Sequence, residues 1–386
     1  MSHALPGDGR GPTVAIVGGG QLGRMLALAG IPLGLRFRFL EPGDDPPAGA
    51  VGEVVRAPYA DRDGLARLVE GAEVVTYEFE NVPVDAAEWL RERAPVHPPP
   101  AALAMAQDRL VEKEAFRRLG IGTAPYRRVD SREDLGAALE ALGLPAVLKT
   151  RRMGYDGKGQ VVIRSAQETD DAWEQLGGRP LILEGFVDFS RELSILAVRS
   201  TSGETAFYPV VENDHRDGIL VRSTAPAPGA SEELQRRAEA IATKVLDDLE
   251  YVGVLAVELF EVGDRLLANE MAPRVHNSGH WSQDGAHTSQ FENHMRAILG
   301  LPLGPTQVRG ERAMMVNLLG GVPAREALTR IPGARMHLYD KEPRPARKVG
   351  HVNLVDEGEG ERVLRERAGE IDRLIAGQAA QESQRP

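Results

Sequence analysis

Two glutamates, Glu258 and Glu270, bracket a candidate turn at Val262-Gly263-Asp264-Arg265. If the turn holds an odd number of residues, Gly263–Arg265, then Val262 pairs with Leu266 and the two glutamates lie directly opposite on one face. Facing carboxylates repel unless something neutralises them. A Mg²⁺ ion would do so, because it takes carboxylate and phosphate oxygens. A two-residue turn would instead send Glu270 to the other face, and solvated glutamates on an exposed hairpin are the plainer reading.

A second group carries phosphate chemistry. Lys149-Thr150-Arg151-Arg152-Met153-Gly154-Tyr155-Asp156-Gly157-Lys158-Gly159-Gln160 sets three glycines and two lysines between two expected strands. It does not open a helix, so it is not a Walker loop. It reads as a flexible basic flap whose glycines permit close backbone approach to phosphates. Gly18-x-Gly20-x-x-Gly23, after a strand and before a helix, is a third candidate, with Glu41 near the end of the next strand. The spacing fits a dinucleotide, and so an NAD(P)-binding oxidoreductase. It fits a generic phosphate site or plain turn glycines equally. His276, His280, His287 and His294 invite a zinc reading, but their loop-like setting lacks the Glu of an H-E-x-x-H site. Polar substrate contacts or satisfied structural histidines are the alternatives. Lys341-Glu342-Pro343-Arg344-Pro345-Ala346-Arg347-Lys348 is a basic stretch stiffened by two prolines, either an anion site or a solvated charge run.

The elements that must position these groups follow from pattern. Thr13–Val17 and Arg36–Leu40 read as strands around a helix through Ala29, and Val74–Tyr77 as another strand, followed by Glu78-Phe79-Glu80-Asn81. Asp108–Leu119 reads as a helix. Ala146–Thr150 and Gln160–Arg164 read as strands joined by the flap. Leu181–Leu183 and Leu193–Val198 continue the strands, Glu232–Glu250 is a long amphipathic helix, and Val254–Phe260 with Leu266–Glu270 forms the hairpin.

The chain of 386 residues carries 46 Lys+Arg against 57 Asp+Glu, a net charge of -11 that argues against a nucleic-acid partner. Without cysteine, disulfides, Cys-ligated zinc, iron–sulfur clusters and thiol nucleophiles are excluded. That fits a reducing, cytoplasmic setting. No window nears about 18 uninterrupted apolar residues, so no membrane partner is expected. Residues 1–12 lack a signal-peptide layout and read as a flexible leader. Only six cations are lysine (113, 149, 158, 244, 341 and 348), and four of these fall in the basic motifs above, with Lys113 and Lys244 elsewhere.

Together, GGGQLGRM (18–25), TYEFENVP (76–83), QDR (107–109), GYDGKGQ (154–160), YVGVLAVELF (251–260), NEMAPRVHNSGHW (269–281) and YDKEPRPARKVGH (339–351) resemble the ATP-grasp superfamily. Within it they resemble the N5-carboxyaminoimidazole ribonucleotide synthetase family of purine biosynthesis, over roughly residues 13–355. The resemblance implies a mixed α/β and α+β architecture: a Rossmann-like pre-ATP-grasp domain (13–110), an ATP-grasp domain (111–305, its flap-bearing part about 123–187), a small C-terminal domain (306–377) and a polar tail (378–386).

It also implies ATP, bicarbonate and 5-aminoimidazole ribonucleotide as substrates, two Mg²⁺ ions with Mn²⁺ as a substitute, and a homodimer. For ATP it implies Arg109 and Lys149 near phosphates or adenine, Gly154, Tyr155, Asp156, Gly157, Lys158, Gly159 and Gln160 as the flap, and Glu184, Gly185, Phe186 and Val187 as the adenine hinge. Glu192 would bind ribose, His215 would lie near the nucleotide, and Glu258 and Glu270 would bridge metal beside Asn269. The ribonucleotide phosphate would sit on Gly20, Gln21 and Leu22 with Lys341, Arg344, Arg347 or Lys348. Glu78 would face the sugar or base, Asn277 and Ser278 the substrate, and Arg274 and His276 bicarbonate. Tyr155 and Asp156 would orient carboxylation. Met153 stands where the family usually has glycine, which lowers the expected flexibility of the flap. Another ATP-grasp carboxylase or ligase, or a formate-dependent glycinamide ribonucleotide transformylase, is the nearest alternative.

Overall fold

The computed structural model describes residues 11–154 and 157–382 of the chain. The expected roles of Tyr155 and Asp156 therefore lie outside the described residues.

The first layer is a four-stranded parallel sheet in the order β3-β2-β1-β4, from β1 (Thr13–Val17), β2 (Arg36–Leu40), β3 (Glu53–Val55) and β4 (Ala72–Tyr77). Helices α1 (Gln21–Gly30), α2 (Arg62–Val69), α3 (Val84–Arg91) and α4 (Pro100–Ala106) accompany it. The buried run Val14–Val17 forms strand because β-branched apolar side chains suit a pleat covered on both faces. The chain leaves β1 for β2 on one side, while β4 pairs on the other. That reversal opens a crevice at the carboxyl ends of β1 and β4, where open α/β sheets bind ligands.

Helix α5 (Arg109–Arg118) leads onward, its N-terminus capped by the Asp108 side chain, which accepts from the Leu110 amide at 3.0 Å. A four-stranded antiparallel sheet follows in the order β5-β8-β6-β7, from β5 (Tyr126–Val129), β6 (Ala146–Thr150), β7 (Gln160–Ile163) and β8 (Leu181–Gly185). Helices α6 (Arg132–Leu142) and α7 (Thr169–Leu176) cover it.

The third layer is a nine-stranded sheet. It uses β9 (Arg191–Arg199), β10 (Thr205–Phe207), β11 (Val211–Arg216), β12 (Ile219–Ala225), β13 (Gly253–Val262) and β14 (Arg265–Ala272), with α8 (Glu232–Asp248), α9 (Ser282–Gly285) and α10 (Gln290–Ile298) around them. The C-terminal elements are β15 (Ala313–Leu319), α11 (Arg325–Thr329), β16 (Arg335–Leu338), β17 (Lys348–Val355) and α12 (Glu361–Glu382). The strand order β14-β13-β9-β11-β12-β15-β17-β16 carries the C-terminal strands on the same sheet, because β15 pairs with β12 from Ala313↔Ala225 to Val316↔Arg222.

One core ties the layers together. Leu22, Leu26 and Phe39 of the first unit pack in the same cluster as Leu196, Trp281, Phe291 and Met315. Removing a side chain such as Leu26 from water is worth about 1.5–3 kcal/mol.

The hairpin needs correction. Val262 pairs with Arg265, so the loop is the two residues Gly263-Asp264, and the odd-loop premise fails. Uncorrected, Glu270 would face away. A β-bulge intervenes: Leu259 pairs with Ala268, yet Val257 pairs with Met271, so β14 holds one residue more than β13 across Glu258. The extra residue returns Glu270 to the face of Glu258.

Candidate active site

The glycine loop after β1 meets a carboxylate supplied by the chain itself. Glu78, just past β4, accepts from the Gly20 amide and from the Gly23 amide at 2.6 Å. A Cβ on Gly20 would come within 2.6 Å of the Glu78 carboxylate. These glycines therefore serve an internal anion at the α1 N-terminus. Burial pushes the Glu78 carboxyl upward while the two amides pull it down. Glu41 is engaged likewise, accepting from the Gly19 amide at 3.0 Å, the Gly43 amide at 3.1 Å and the Tyr59 hydroxyl at 2.7 Å. The Gly20 amide, expected at the ribonucleotide phosphate, donates to Glu78 in this structure. Gln21 and Leu22 form the first turn of α1.

Between the small antiparallel sheet and the large one lies a buried network of alternating charge. Lys149 on β6 donates to Glu184 on the adjacent β8 at 2.9 Å, and Lys113 of α5 lies 3.6 Å from the same oxygen. Burial raises the Glu184 carboxyl, but Lys149 and Lys113 outweigh it and hold the group at about 2. Glu184, the first residue of the expected adenine hinge, thus has its side chain turned to the lysines. The Gly185 and Phe186 amides donate to the Pro125 and Pro145 carbonyls, shaping the turn into Val187. Phe186 itself is half exposed.

Lys113, which the sequence reading set apart from the motifs, belongs to this network. It donates to the Asn269 carbonyl at 2.8 Å, and Glu112 accepts from the Met271 amide at 2.7 Å. These two neighbours on α5 thus grip the backbone of the bulge. Arg109, Glu112 and Lys113 fall at i, i+3 and i+4 of one helix and so share the face turned to β14.

Arg109 donates to Glu270 at 2.6 Å. Burial raises the Glu270 carboxyl, but Arg109 holds it down; Glu258 is pushed up by its own burial and then by Glu270. The Asn269 side-chain oxygen beside them is buried and has no protein partner. Two carboxylates and an orphaned amide oxygen are hard donors, so these residues fit a divalent cation of the Mg²⁺ class that completes its shell with phosphate oxygens.

The flap is anchored at its base. Arg151 donates to Asp108 at 2.9 and 2.6 Å, and the Arg109 amide donates to the Arg151 carbonyl. Met153 adopts φ 63°, the left-handed region in which glycine would be unstrained, and its side chain is exposed. Farther along, a Cβ on Gly157 would meet the Asp217 carbonyl at 2.8 Å, so the flap rests against the Asp217-Gly218 turn between β11 and β12. Gly154, Lys158, Gly159 and Gln160 complete the described flap residues.

On the far side of the carboxylates, His276 Nε2 is 3.2 Å from Glu258. Burial, with Arg274, Lys348 and His215 nearby, drives this imidazole well below its usual range. Arg274 donates to Glu80 at 2.6 Å, linking the strand after the bulge to the loop after β4. Glu192 and His215 pair at 3.0 Å; burial lowers the His215 imidazole, but Glu192 raises it further. Lys348 acts electrostatically on Glu258, His215 and His276, and Lys341 on Glu78. Arg344 is turned outward to Glu342, and Arg347 donates to the Glu342 carbonyl at 3.3 Å.

The four clustered histidines diverge. His276 faces the carboxylates, His280 is buried against Gln290, His294 is buried between Thr76 and the Val254 amide, and His287 is exposed. Asn277 exchanges two amide hydrogen bonds with Asn317. Ser278 is fully buried with its hydroxyl engaged, which corrects its expected role as a direct substrate contact.

Family comparisons divide the chain consistently. Residues 12–107 match the ribonucleotide synthetase preATP-grasp domain, 114–291 the ATP-grasp domain, and 313–364 the phosphoribosylaminoimidazole carboxylase C-terminal domain. The N5-carboxyaminoimidazole ribonucleotide synthase of Pseudomonas aeruginosa is 49% identical over 362 residues, covering 94% of this chain and 99% of that protein. The chain belongs to the N5-carboxyaminoimidazole ribonucleotide synthetase family. A crystal structure of the synthetase from Thermus thermophilus is 56% identical with a TM-score of 0.89, covering 94% of this chain and 98% of that one. The Aspergillus clavatus synthase, solved with ADP and 5-aminoimidazole ribonucleotide, is 32% identical with a TM-score of 0.86, covering 94% and 99%. Membership in the synthetase family removes the oxidoreductase reading of the first glycine loop, in keeping with the carboxylates that fill it.

Proposed function

We infer that this chain catalyses the ATP- and bicarbonate-dependent carboxylation of 5-aminoimidazole ribonucleotide to N5-carboxyaminoimidazole ribonucleotide, a ligase step of purine biosynthesis. The observation that carries this reading is the arrangement around one bulged hairpin. Glu258, Asn269 and Glu270 adjoin Arg109 and the lysine network on one side, and His276 on the other. A phosphoryl donor and a small anionic acceptor would thereby meet at the bulge.

The chemistry balances with these groups. A bicarbonate oxygen attacks the γ-phosphorus of ATP, the bond to the β-phosphate bridging oxygen breaks, and ADP leaves with that electron pair. Carboxyphosphate then delivers its carbon to the exocyclic amine, the carbon–oxygen bond breaks, phosphate leaves, and the amine loses a proton. Every partner is an anion or carries one, so the protein's main task is to hold them together against repulsion. Lys149 and Arg109 would counter the nucleotide phosphates. Glu258, Glu270 and Asn269 would hold Mg²⁺, which neutralises phosphate charge when bound. Arg274 and His276 would orient bicarbonate. Lys341, Arg347 and Lys348 would take the ribonucleotide phosphate together with Gln21 and Leu22, with Glu78 toward its sugar or base. Glu192 and His215 would meet the nucleotide ribose beyond the hinge at Val187, and the flap, with Lys158, would exclude water from carboxyphosphate.

A cytoplasmic homodimer, with domains at 13–110, 111–305 and 306–377, completes the reading. No helix among the described residues is long and apolar enough to cross a membrane. The test is ADP release with each substrate omitted in turn. Release that needs both bicarbonate and 5-aminoimidazole ribonucleotide, with the carboxylated product formed, is expected. ADP release coupled to formate or to another acceptor would overturn the assignment.

A further inference from the structure

His276 sits at the end of a chain of buried polar side chains that reaches back through the large sheet. Ser194, Asn213 and Ser223 lie on the neighbouring strands β9, β11 and β12, and Ser278 follows His276 by two residues. All four are buried, three of them at 0% exposure. A buried donor or acceptor without a partner costs about 1–3 kcal/mol, so such a chain persists when every link is satisfied.

The links run in one direction. The Ser223 hydroxyl donates to Asn213 Oδ1 at 2.8 Å. Asn213 Nδ2 donates to Ser194 Oγ at 3.0 Å, and Ser194 Oγ donates to Ser278 Oγ at 2.8 Å. Ser278 Oγ lies 2.9 Å from His276 Nδ1. Having accepted from Ser194, it has its own proton left to give to the ring. A second contact agrees: the Ser278 backbone amide, which can only donate, points at the same nitrogen at 3.3 Å. Nδ1 therefore carries a lone pair, and the ring proton sits on Nε2. That nitrogen is the one turned toward the carboxylate side of the site, 3.2 Å from Glu258.

We propose that this relay locks His276 in the Nε2–H tautomer, so that the ring presents a hydrogen-bond donor, and not a base, to the carboxylating centre. Ser278, Ser194, Asn213 and Ser223 are then positioning residues for a reaction they never touch. The consequence for catalysis rests on the reading that His276 faces bicarbonate; the tautomer itself does not. An Nε2–H donor orients an anionic oxygen and strengthens as charge grows there.

The test uses the full chain labelled with ring-¹⁵N histidine, the His276 signals being assigned by their loss in His276→Gln. The wild-type ring should show a protonated Nε2 and an unprotonated Nδ1. Asn213→Asp, nearly isosteric but acceptor-only when ionised, should turn the arrows around and move protonation toward Nδ1. Turnover should fall on the order of 100-fold, the scale of one lost hydrogen-bond donor at a developing charge, while the Michaelis constant for ATP stays within about twofold. Ser278→Ala, which removes the last hydroxyl, should shift the same ¹⁵N pattern if Asn213→Asp does not fold. A wild-type ring protonated at Nδ1 would overturn the proposal, as would variants that leave both pattern and turnover unchanged. Absence of carboxylation in the wild type, with the expected ¹⁵N pattern intact, would instead strike at the proposed function and leave the relay standing.

Discussion

At the scale of single residues, burial decides which charges matter. Glu184 is a carboxylate among apolar β8 neighbours, and it stays ionised because Lys149 and Lys113 reach it from two other elements. Its folded-state pKa is depressed, so its contribution to stability is complete above the ordinary glutamate range and is lost as pH falls from about 4.5 toward about 2. Urea unfolding at a series of acidic pH values should therefore show wild-type stability dropping across that window. Glu184→Gln should flatten the drop and be less stable than wild type at neutral pH, because two buried lysines lose their anion. An unchanged pH slope in the variant would remove Glu184 from this role. The sequence made Lys149 legible through its flap, whereas Lys113 looked like an ordinary helical cation. Nothing local distinguishes a lysine that faces solvent from one that faces a strand contributed by residues about 155 positions later.

At the scale of elements, the bulge in β14 decides which face Glu270 takes. Alternation along the strand made it legible that Glu258 and Glu270 could share a face. The wrong route led to that face, because the loop is one residue shorter than assumed and the bulge restores the parity. Period-2 patterning reports parity but cannot locate an unpaired residue. Glu270→Gln keeps the bulge and removes the carboxylate that it brings to this face. The expected result is a folded protein, by circular dichroism, that loses Mn²⁺ binding in electron paramagnetic resonance with ADP present and at least about 1,000-fold of its ATP turnover, on the scale of lost transition-state charge stabilisation. Retained Mn²⁺ binding would show that the carboxylate aimed by the bulge does not hold the metal. The β11–β12 hairpin went unread although Asp217-Gly218, with both residues at positive φ, is a strong two-residue turn signal.

At the scale of the whole molecule, the C-terminal strands are structural partners of the ATP-grasp sheet. β15 lies against β12, and Ala313, Met315 and Tyr339 share the core that holds Leu26 and Trp281. A chain ending at residue 305 would expose the β12 edge and leave that core open. It should be recovered mainly as aggregate, or as a species without near-ultraviolet circular dichroism. A soluble, cooperatively melting truncation would show the C-terminal strands to be dispensable. Sequence patterns suggested a separate unit here because the pairing joins segments about 90 residues apart, and strand order across such a gap leaves no local mark.

The carboxylate of Glu78 at the α1 N-terminus has a consequence for competition. A cell is crowded with dinucleotides and sugar phosphates, and a bare glycine-rich helix start would attract them all. Here such a guest would have to evict a tethered, already desolvated tenant whose effective concentration no free metabolite approaches. The fingerprint that most invites a cofactor is thus closed to casual traffic by the chain's own acid.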